Sequence, residues 1–271
     1  MPQFDGILIC TDLDGTLYRN DKSISRENRE AIEYFKREGG YFTFVTGRMP
    51  YYSMDAYRAI APNVPFGCIN GGGLYDGAAQ KYVGARTLDG RVCDLIQCID
   101  NRFPKVGIQV CCLEKSYFAK ETPSWVRFRR LTGLPNLVRG YREVDEPIAK
   151  IIFGTDDEEE MQAIQKTLAA HPASRDFSLV RSEKTLFEIL PRGVNKGVAL
   201  AMLTKHLDID PQRTVAIGDY DNDVAMLRAA GLGVAVANAS SAALAAADLV
   251  TVSNEEHAIA RVIYECLPDL K

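Results

Sequence analysis

The stretch Asp12-Leu13-Asp14-Gly15-Thr16 places two carboxylates, a glycine and a hydroxyl directly after the apolar run Ile7-Leu8-Ile9-Cys10. A short apolar run with β-branched residues, halted by an Asp/Gly cluster, predicts a buried strand of a parallel sheet, and ligands of such sheets gather just beyond the strands' carboxyl ends. Two like charges this close repel each other, so the pair is costly unless a cation sits between them or one acid stays protonated. Asp-Gly is also a frequent loop dipeptide, and alone the stretch reads equally well as a turn. Far downstream, Gly218-Asp219-Tyr220-Asp221-Asn222-Asp223 follows a second apolar run, Thr214-Val215-Ala216-Ile217, where a strand again feeds a helix. Thr46 stands at a third strand end, after Tyr41-Phe42-Thr43-Phe44-Val45, and Lys196 adds a cation at a helix start. Such oxygen donors suit magnesium, which keeps waters and is usually held by one or two carboxylates plus a phosphate. With Lys196 as fixed positive charge, the set would neutralise a phosphoryl group during transfer. Agreement among three strand ends argues against loops that merely happen to be acidic.

The elements that must position these residues alternate. Ser25 to Glu38 carries Ile32 and Phe35 on one face with Gly39-Gly40 after it, a helix with its stop signal. Helix is expected from about Tyr51 to Ala61, and strand from Phe66 to Ile69, closing on Asn70-Gly71-Gly72-Gly73. From Tyr82 to Leu190 the texture changes. Helices over Leu88 to Arg102, Thr122 to Leu131 and Asp156 to Ala170 mix with strands over Val106 to Cys112, Tyr117 to Ala119, Ala149 to Phe153, Phe177 to Ser182 and Thr185 to Leu190. The last two strands suit antiparallel pairing, and the block reads as an α+β insert with its own small core. Asp157-Glu158-Glu159-Glu160 opens a helix, where acids favour the positive end of its dipole. After Leu190 the alternation returns: a helix capped by Asn195 and ending near His206, the strand at Thr214, a helix from Val224, then Gly231 to Val236, Ala242 to Ala247, Leu249-Val250 and a helix over Glu256 to Cys266. The expected fold is therefore α/β, a doubly wound parallel sheet formed by residues 1–81 and 191–271 and split by an insert at 82–190.

Composition narrows the function. The chain has 271 residues, 46% apolar and 25% charged, with a net charge of −4. That balance gives no basic footprint for nucleic acid or an anionic membrane, and Arg127-Phe128-Arg129-Arg130 is too short to supply one. No run reaches the ~18 apolar residues of a membrane span, and no basic-then-apolar leader opens the chain. The seven cysteines are odd in number and form no Cys-x-x-Cys pair, so they read as reduced core residues and the expected compartment is the cytoplasm. His171, His206 and His257 lack metal-ligand spacing. Asn238-Ala239-Ser240 matches a glycosylation acceptor only formally.

Asp12-Leu13-Asp14-Gly15-Thr16, Thr46-Gly47-Arg48, Lys196-Gly197 and Gly218-Asp219-x-x-Asn222-Asp223 resemble the four motifs of the haloacid dehalogenase superfamily of phosphatases, in the spacing of its Cof-like hydrolase branch. The Asn70-Gly71 turn and the approach from Glu188 to Gly197 match as well, so the resemblance spans essentially the whole chain. Thr11 departs from the family's frequent Phe, and Asp221 adds an acid inside the last motif.

The resemblance implies a Rossmann-like core with residues 82–190 as a cap that sets specificity. It implies that Asp12 is the nucleophile, forming an aspartyl-phosphate, and that Asp14 protonates the leaving oxygen and then deprotonates water. Thr46, Gly47 and Lys196 would hold the phosphoryl group. Magnesium would be bound by Asp12, the Asp14 carbonyl and Asp219, with Asn222 and Asp223 ordering the shell. Arg48 receives no role. The expected substrate is a small phosphomonoester: a sugar phosphate, nucleotide or cofactor phosphate. The alternatives are a sugar phosphomutase using the same aspartate and a catalytically silent metal or phosphate-binding module.

Overall fold

The apolar runs ahead of the two acidic clusters form strands short enough to be buried along their whole length. In the computed structural model, which describes residues 2–132 and 135–267, the first half of the core runs β1 (Leu8–Thr11), α1 (Arg26–Arg37), β2 (Tyr41–Phe44), α2 (Met54–Ile60), β3 (Phe66–Cys68), β4 (Gly73–Asp76) and β5 (Lys81–Ala85). The insert follows with α3 (Val92–Arg102), β6 (Gly107–Cys112), β7 (Ser116–Lys120), α4 (Pro123–Thr132), β8 (Ile148–Gly154), α5 (Glu158–Ala170), β9 (Phe177–Glu183) and β10 (Leu186–Pro191). The second half of the core comprises α6 (Lys196–Leu207), β11 (Thr214–Gly218), α7 (Val224–Ala229), β12 (Leu232–Ala235), α8 (Ser241–Ala246), β13 (Leu249–Val250) and α9 (Ala258–Arg261). The chain divides into two compact units, residues 1–84 with 195–271, and residues 85–194.

In the first unit the strands form a five-stranded parallel sheet in the order β13-β12-β11-β1-β2. From β1 the chain winds outward through β2 on one side and returns through β11, β12 and β13 on the other. The switch point lies between β1 and β11, where an open α/β sheet leaves a crevice at the strands' carboxyl ends. Leu8 and Cys10 of β1 and Ala216 of β11 pack with Ala199, Leu200 and Leu203 of α6 into one apolar cluster. Helix α1 starts where Ser25 accepts a hydrogen bond from the Asn28 N–H and ends with Lys36 and Arg37 in its last turn, the charge its dipole favours there.

The second unit is a sheet in the order β7-β6-β8-β10-β9, with antiparallel pairing throughout. Period-two alternation turns Ile108, Val110, Ile151, Phe153, Phe187 and Ile189 toward α3 and α5, whose Leu95, Ile99, Ile164 and Leu168 complete a separate core. The intervening residues include Lys150 and Glu188, a buried ion pair at 2.9 Å in which Glu188 also accepts the Ser182 hydroxyl at 2.7 Å. Asp157 caps α5 by accepting the N–H groups of Glu159 and Glu160, and Glu158 pairs with Arg181. Arg127 and Arg129 pair with Asp156 and Glu121.

Three local expectations are corrected. Ile69 leaves the strand: its φ of +58° is left-handed, so β3 ends at Cys68. Gly73–Asp76 and Lys81–Ala85 are strands that extend β3 into a three-stranded sheet, obscured in the sequence by the glycines beside them. The expected single helix over Glu256 to Cys266 is broken at His257, whose φ is +63°, because Ser253 and Glu256 cap each other around the turn Asn254–Glu256 and the helix restarts at Ala258. Among the described residues no helix is long and apolar enough to cross a membrane.

Candidate active site

The ladder between β1 and β11 continues one residue past β1: the Asp12 N–H donates to the Ile217 carbonyl at 2.8 Å. That bond holds Asp12 at the switch point, 7% exposed. Asp219 directly follows β11, and Val45, after β2, donates its N–H to the Thr11 carbonyl at 2.9 Å, which sets Thr46 beside the same strand end. Lys196 begins α6 behind its cap Asn195, which accepts the Val198 N–H.

These placements bring Asp12, Asp219 and Asp223 together, with one oxygen of each within 4.8 Å of the others. The Lys196 ammonium, 1% exposed, donates to Asp12 Oδ1 and to Asp223 Oδ1, both at 2.6 Å. Burial works against the ammonium, but the two carboxylates outweigh it and hold its pKa above the ordinary value. Asp223 Oδ2 accepts the N–H groups of Asp219 and Tyr220 at 3.0 Å each, so both of its oxygens are engaged. Asp219 accepts the Thr16 hydroxyl at 2.6 Å, and Gly15 makes that approach possible. Gly15 has φ +83°, and a Cβ there would lie 2.5 Å from Asp219 Oδ2. Asp12 Oδ2 has no hydrogen-bond donor among the described residues.

Three carboxylates, two of them buried and that of Asp219 half-buried, share one ammonium, and the imbalance shows in the pKa values of Asp12 and Asp219. Burial, then the Asp223 charge, pushes Asp219 up to about 6. Burial also pushes Asp12 up, against the pull of Lys196. A divalent cation relieves such a surplus, and the all-oxygen donor set with no thiolate or imidazole fits a hard cation. Asp12 and Asp219 have carboxylate oxygens to offer it, whereas Asp223 is already committed to Lys196 and the backbone.

The remaining expected residues sit around this cluster. The Asp14 side chain is turned to Arg48, which donates from Nε at 3.0 Å and Nη2 at 2.7 Å, and to Lys22 Nζ at 2.9 Å. Burial raises the Asp14 pKa, but the guanidinium and the ammonium more than offset it, and the carboxyl lies below its ordinary range. The Thr46 hydroxyl accepts the Arg48 N–H at 3.2 Å. Gly47 packs on the Asn70 carboxamide, and Asn222 donates to Asn70 Oδ1 at 2.9 Å. Asp221 is not part of the cluster: it accepts the hydroxyl of Ser240, the cap of α8. Asn238 donates to the Gly15 carbonyl and accepts the Asn254 N–H, which gives it a structural role.

Sequence reading passed over Arg48, Lys22, Thr16 and Asn70. Thr16 and Arg48 lie inside the motifs, a signal that was available. Lys22 reaches Asp14 from a turn in which residue 22 adopts φ +65°, a conformation that its residue type does not announce.

A model of a protein family described as haloacid dehalogenase-like hydrolase matches residues 9–263. Phosphatase YwpJ of Bacillus subtilis (strain 168) is 28% identical over 290 aligned positions, covering 96% of this chain and 99% of its own length. The 5-amino-6-(5-phospho-D-ribitylamino)uracil phosphatase YitU of the same organism is 29% identical over 264 positions, covering 95% and 96%. A solved haloacid dehalogenase-like hydrolase from B. subtilis superposes with a TM-score of 0.84 at 27% identity, covering 95% of this chain and 99% of that one.

Proposed function

This chain belongs to the haloacid dehalogenase-like hydrolases and is a phosphatase of that superfamily, and from that premise we propose that it hydrolyses a small phosphomonoester in the cytoplasm, with magnesium, through an aspartyl-phosphate on Asp12. The observation that carries the reading is the meeting of Asp12, Lys196, Asp219 and Asp223 at the sheet's switch point.

Lys196 occupies Asp12 Oδ1 and fixes the plane of the carboxylate, which leaves Oδ2 to attack phosphorus. The P–O bond to the leaving group breaks as the Asp12–phosphorus bond forms, and Asp14, once it has taken up a proton against the pull of Arg48 and Lys22, gives that proton to the departing oxygen. Asp14 then takes a proton from the water that attacks the acyl phosphate, so the carboxyl ends as it began and Asp12 is regenerated with release of inorganic phosphate. Thr46 and the backbone at Gly47 hold the phosphoryl oxygens, and Lys196 balances their charge. Asp12, Asp219 and the Asp14 carbonyl would hold magnesium, with Asn222 and Asp223 ordering them. The bound ion would supply charge neutralisation for the transferring group.

The inserted block, 82–190 as read from the sequence, is proposed to read the non-phosphate part of the substrate. Sugar phosphates, nucleotides and cofactor phosphates are the classes to screen, beginning with the ribityl phosphate ester that names YitU. The test is phosphate release from such a panel, with magnesium and with excess chelator, for the wild-type chain and Asp12→Asn. Release that needs magnesium and drops by several orders of magnitude in the near-isosteric amide is the expected result. Undiminished turnover by metal-free protein, or more than a few per cent of wild-type kcat in the variant, overturns it.

A further inference from the structure

The turn after β3 is strained in a way that the strand and helix pattern does not explain. Ile69, Asn70 and Gly71 have φ values of +58°, +51° and +95° in succession. A β-branched residue rarely adopts such a conformation, and strain of this kind persists only where the surroundings over-determine it. Here the surroundings are three parts of the active site. The Ile69 N–H donates to the Arg48 carbonyl at 3.0 Å and the Asn70 N–H to the Thr46 carbonyl at 3.1 Å, which staples the turn to the loop carrying Thr46. The Asn70 side chain, 1% exposed, accepts from Asn222 Nδ2 at 2.9 Å. It also fills the space a side chain at Gly47 would need, since a Cβ there would lie 2.9 Å from Asn70 Oδ1. Gly71 lies flat against the start of α6: a Cβ on it would fall 1.9 Å from the Asn195 carbonyl oxygen, one residue before Lys196.

We propose that Asn70 is a positioning residue, whose carboxamide locks the loop carrying Thr46 to the loop carrying Asn222 and Asp223 and so sets the spacing of the phosphate pocket. The assignment rests on the phosphatase reading above. The left-handed turn is what lets one buried side chain reach both loops: from an extended backbone the Asn70 carboxamide would follow the strand instead. Asparagine suits the place twice, because it tolerates left-handed backbone and carries an oxygen to accept the Asn222 amide.

Asn70→Gly is the informative variant, since glycine accepts φ +51° and only the carboxamide is lost. With the melting temperature within about 3 °C of wild type, kcat/KM on p-nitrophenyl phosphate should fall by about tenfold or more, and the dissociation constant for inorganic phosphate, measured by calorimetry, should rise by about fivefold. Asn222→Ala cuts the same contact from the other side and serves if the glycine variant fails to fold. If the two side chains act through one another, the double variant is no more than about threefold worse than the poorer single. Wild-type phosphate affinity and turnover in Asn70→Gly, or losses that multiply in the double variant, overturn the proposal. A wild-type chain that binds phosphate but releases none from any monoester overturns the phosphatase reading instead, and Asn70 is then judged on phosphate affinity and its coupling to Asn222.

Discussion

Arg48 grips Asp14 through two parallel hydrogen bonds, a fork that fixes orientation as well as charge. Orientation is what Asp14 would need in its proposed role of general acid, and it matters most when the leaving oxygen is a poor one. Arg48→Ala should therefore lower kcat for an alkyl phosphate by about tenfold or more while changing kcat for p-nitrophenyl phosphate by less than about threefold, as the phenolate departs without much help. Equal losses on both substrates would place Arg48 on the phosphoryl group rather than on Asp14. Lys196 carries a different burden, because its removal leaves Asp12 and Asp223 buried without a counter-ion. Lys196→Met should abolish turnover and destabilise the chain by about 3–5 kcal/mol in denaturant unfolding. Added magnesium should restore part of that stability, since a cation among the carboxylates replaces some of the lost charge; no stabilisation by any divalent ion would count against a cation site here.

Helix α5 shows how local chemistry supports the insert without entering the reaction. Three of the four acids that open it divide the work: Asp157 caps, Glu158 pairs with Arg181, and Glu160 accepts the Thr155 hydroxyl. Asp157→Ala leaves the N–H groups of Glu159 and Glu160 without that acceptor and should cost about 1 kcal/mol, read as a lowered melting temperature, with kcat on p-nitrophenyl phosphate unchanged. Glu158 is held at a pKa of about 2 by its hydrogen bonds to Arg181 and Gln162. A depressed carboxylate stabilises the fold above its unfolded pKa and loses that effect as pH falls through the folded one. The Glu158 contribution should thus be complete above about pH 4.5 and vanish toward pH 2. Glu158→Gln, followed by acid unfolding across that window, should flatten the corresponding part of the stability curve.

Two units with separate apolar cores allow one part of the chain to vary while the other keeps its chemistry. Every residue proposed for phosphoryl transfer lies in residues 1–84 and 195–271, and under the proposed function the reading of the rest of the substrate falls to the inserted unit. If the insert reads the substrate as proposed, small metabolites should be favoured: kcat/KM for the best metabolite phosphate should exceed that for phosphopeptides by at least about a hundredfold, some 2.7 kcal/mol in transition-state binding. Comparable rates on phosphopeptides would show that residues 85–194 do not confer such selectivity.

The parallel core and the residues that meet in it were legible because each signal was local: an apolar run, a polar stop, a helix start, repeated at successive strand ends. The acids of Asp12, Asp219 and Asp223 could be assigned to one site without coordinates, since the carboxyl ends of parallel strands converge whatever the length of chain between them. A change of texture after Tyr82, from buried strands between helices to mixed strands and helices, marked the insert in the sequence, and its last two strands pair antiparallel as their pattern suggested. What the sequence left open were contacts that depend on backbone rotation at single residues or on distant partners. The position of Lys22 and the break at His257 turn on left-handed backbone at single residues within local turns, whereas the grip of Arg48 on Asp14 and the left-handed residues at Ile69 to Gly71 depend on partners distant in the chain. The same holds for Asp221. Among five neighbouring polar residues, only the packing of α8, with Ser240 at its start, separates the acid that braces a loop from the acids that face the site.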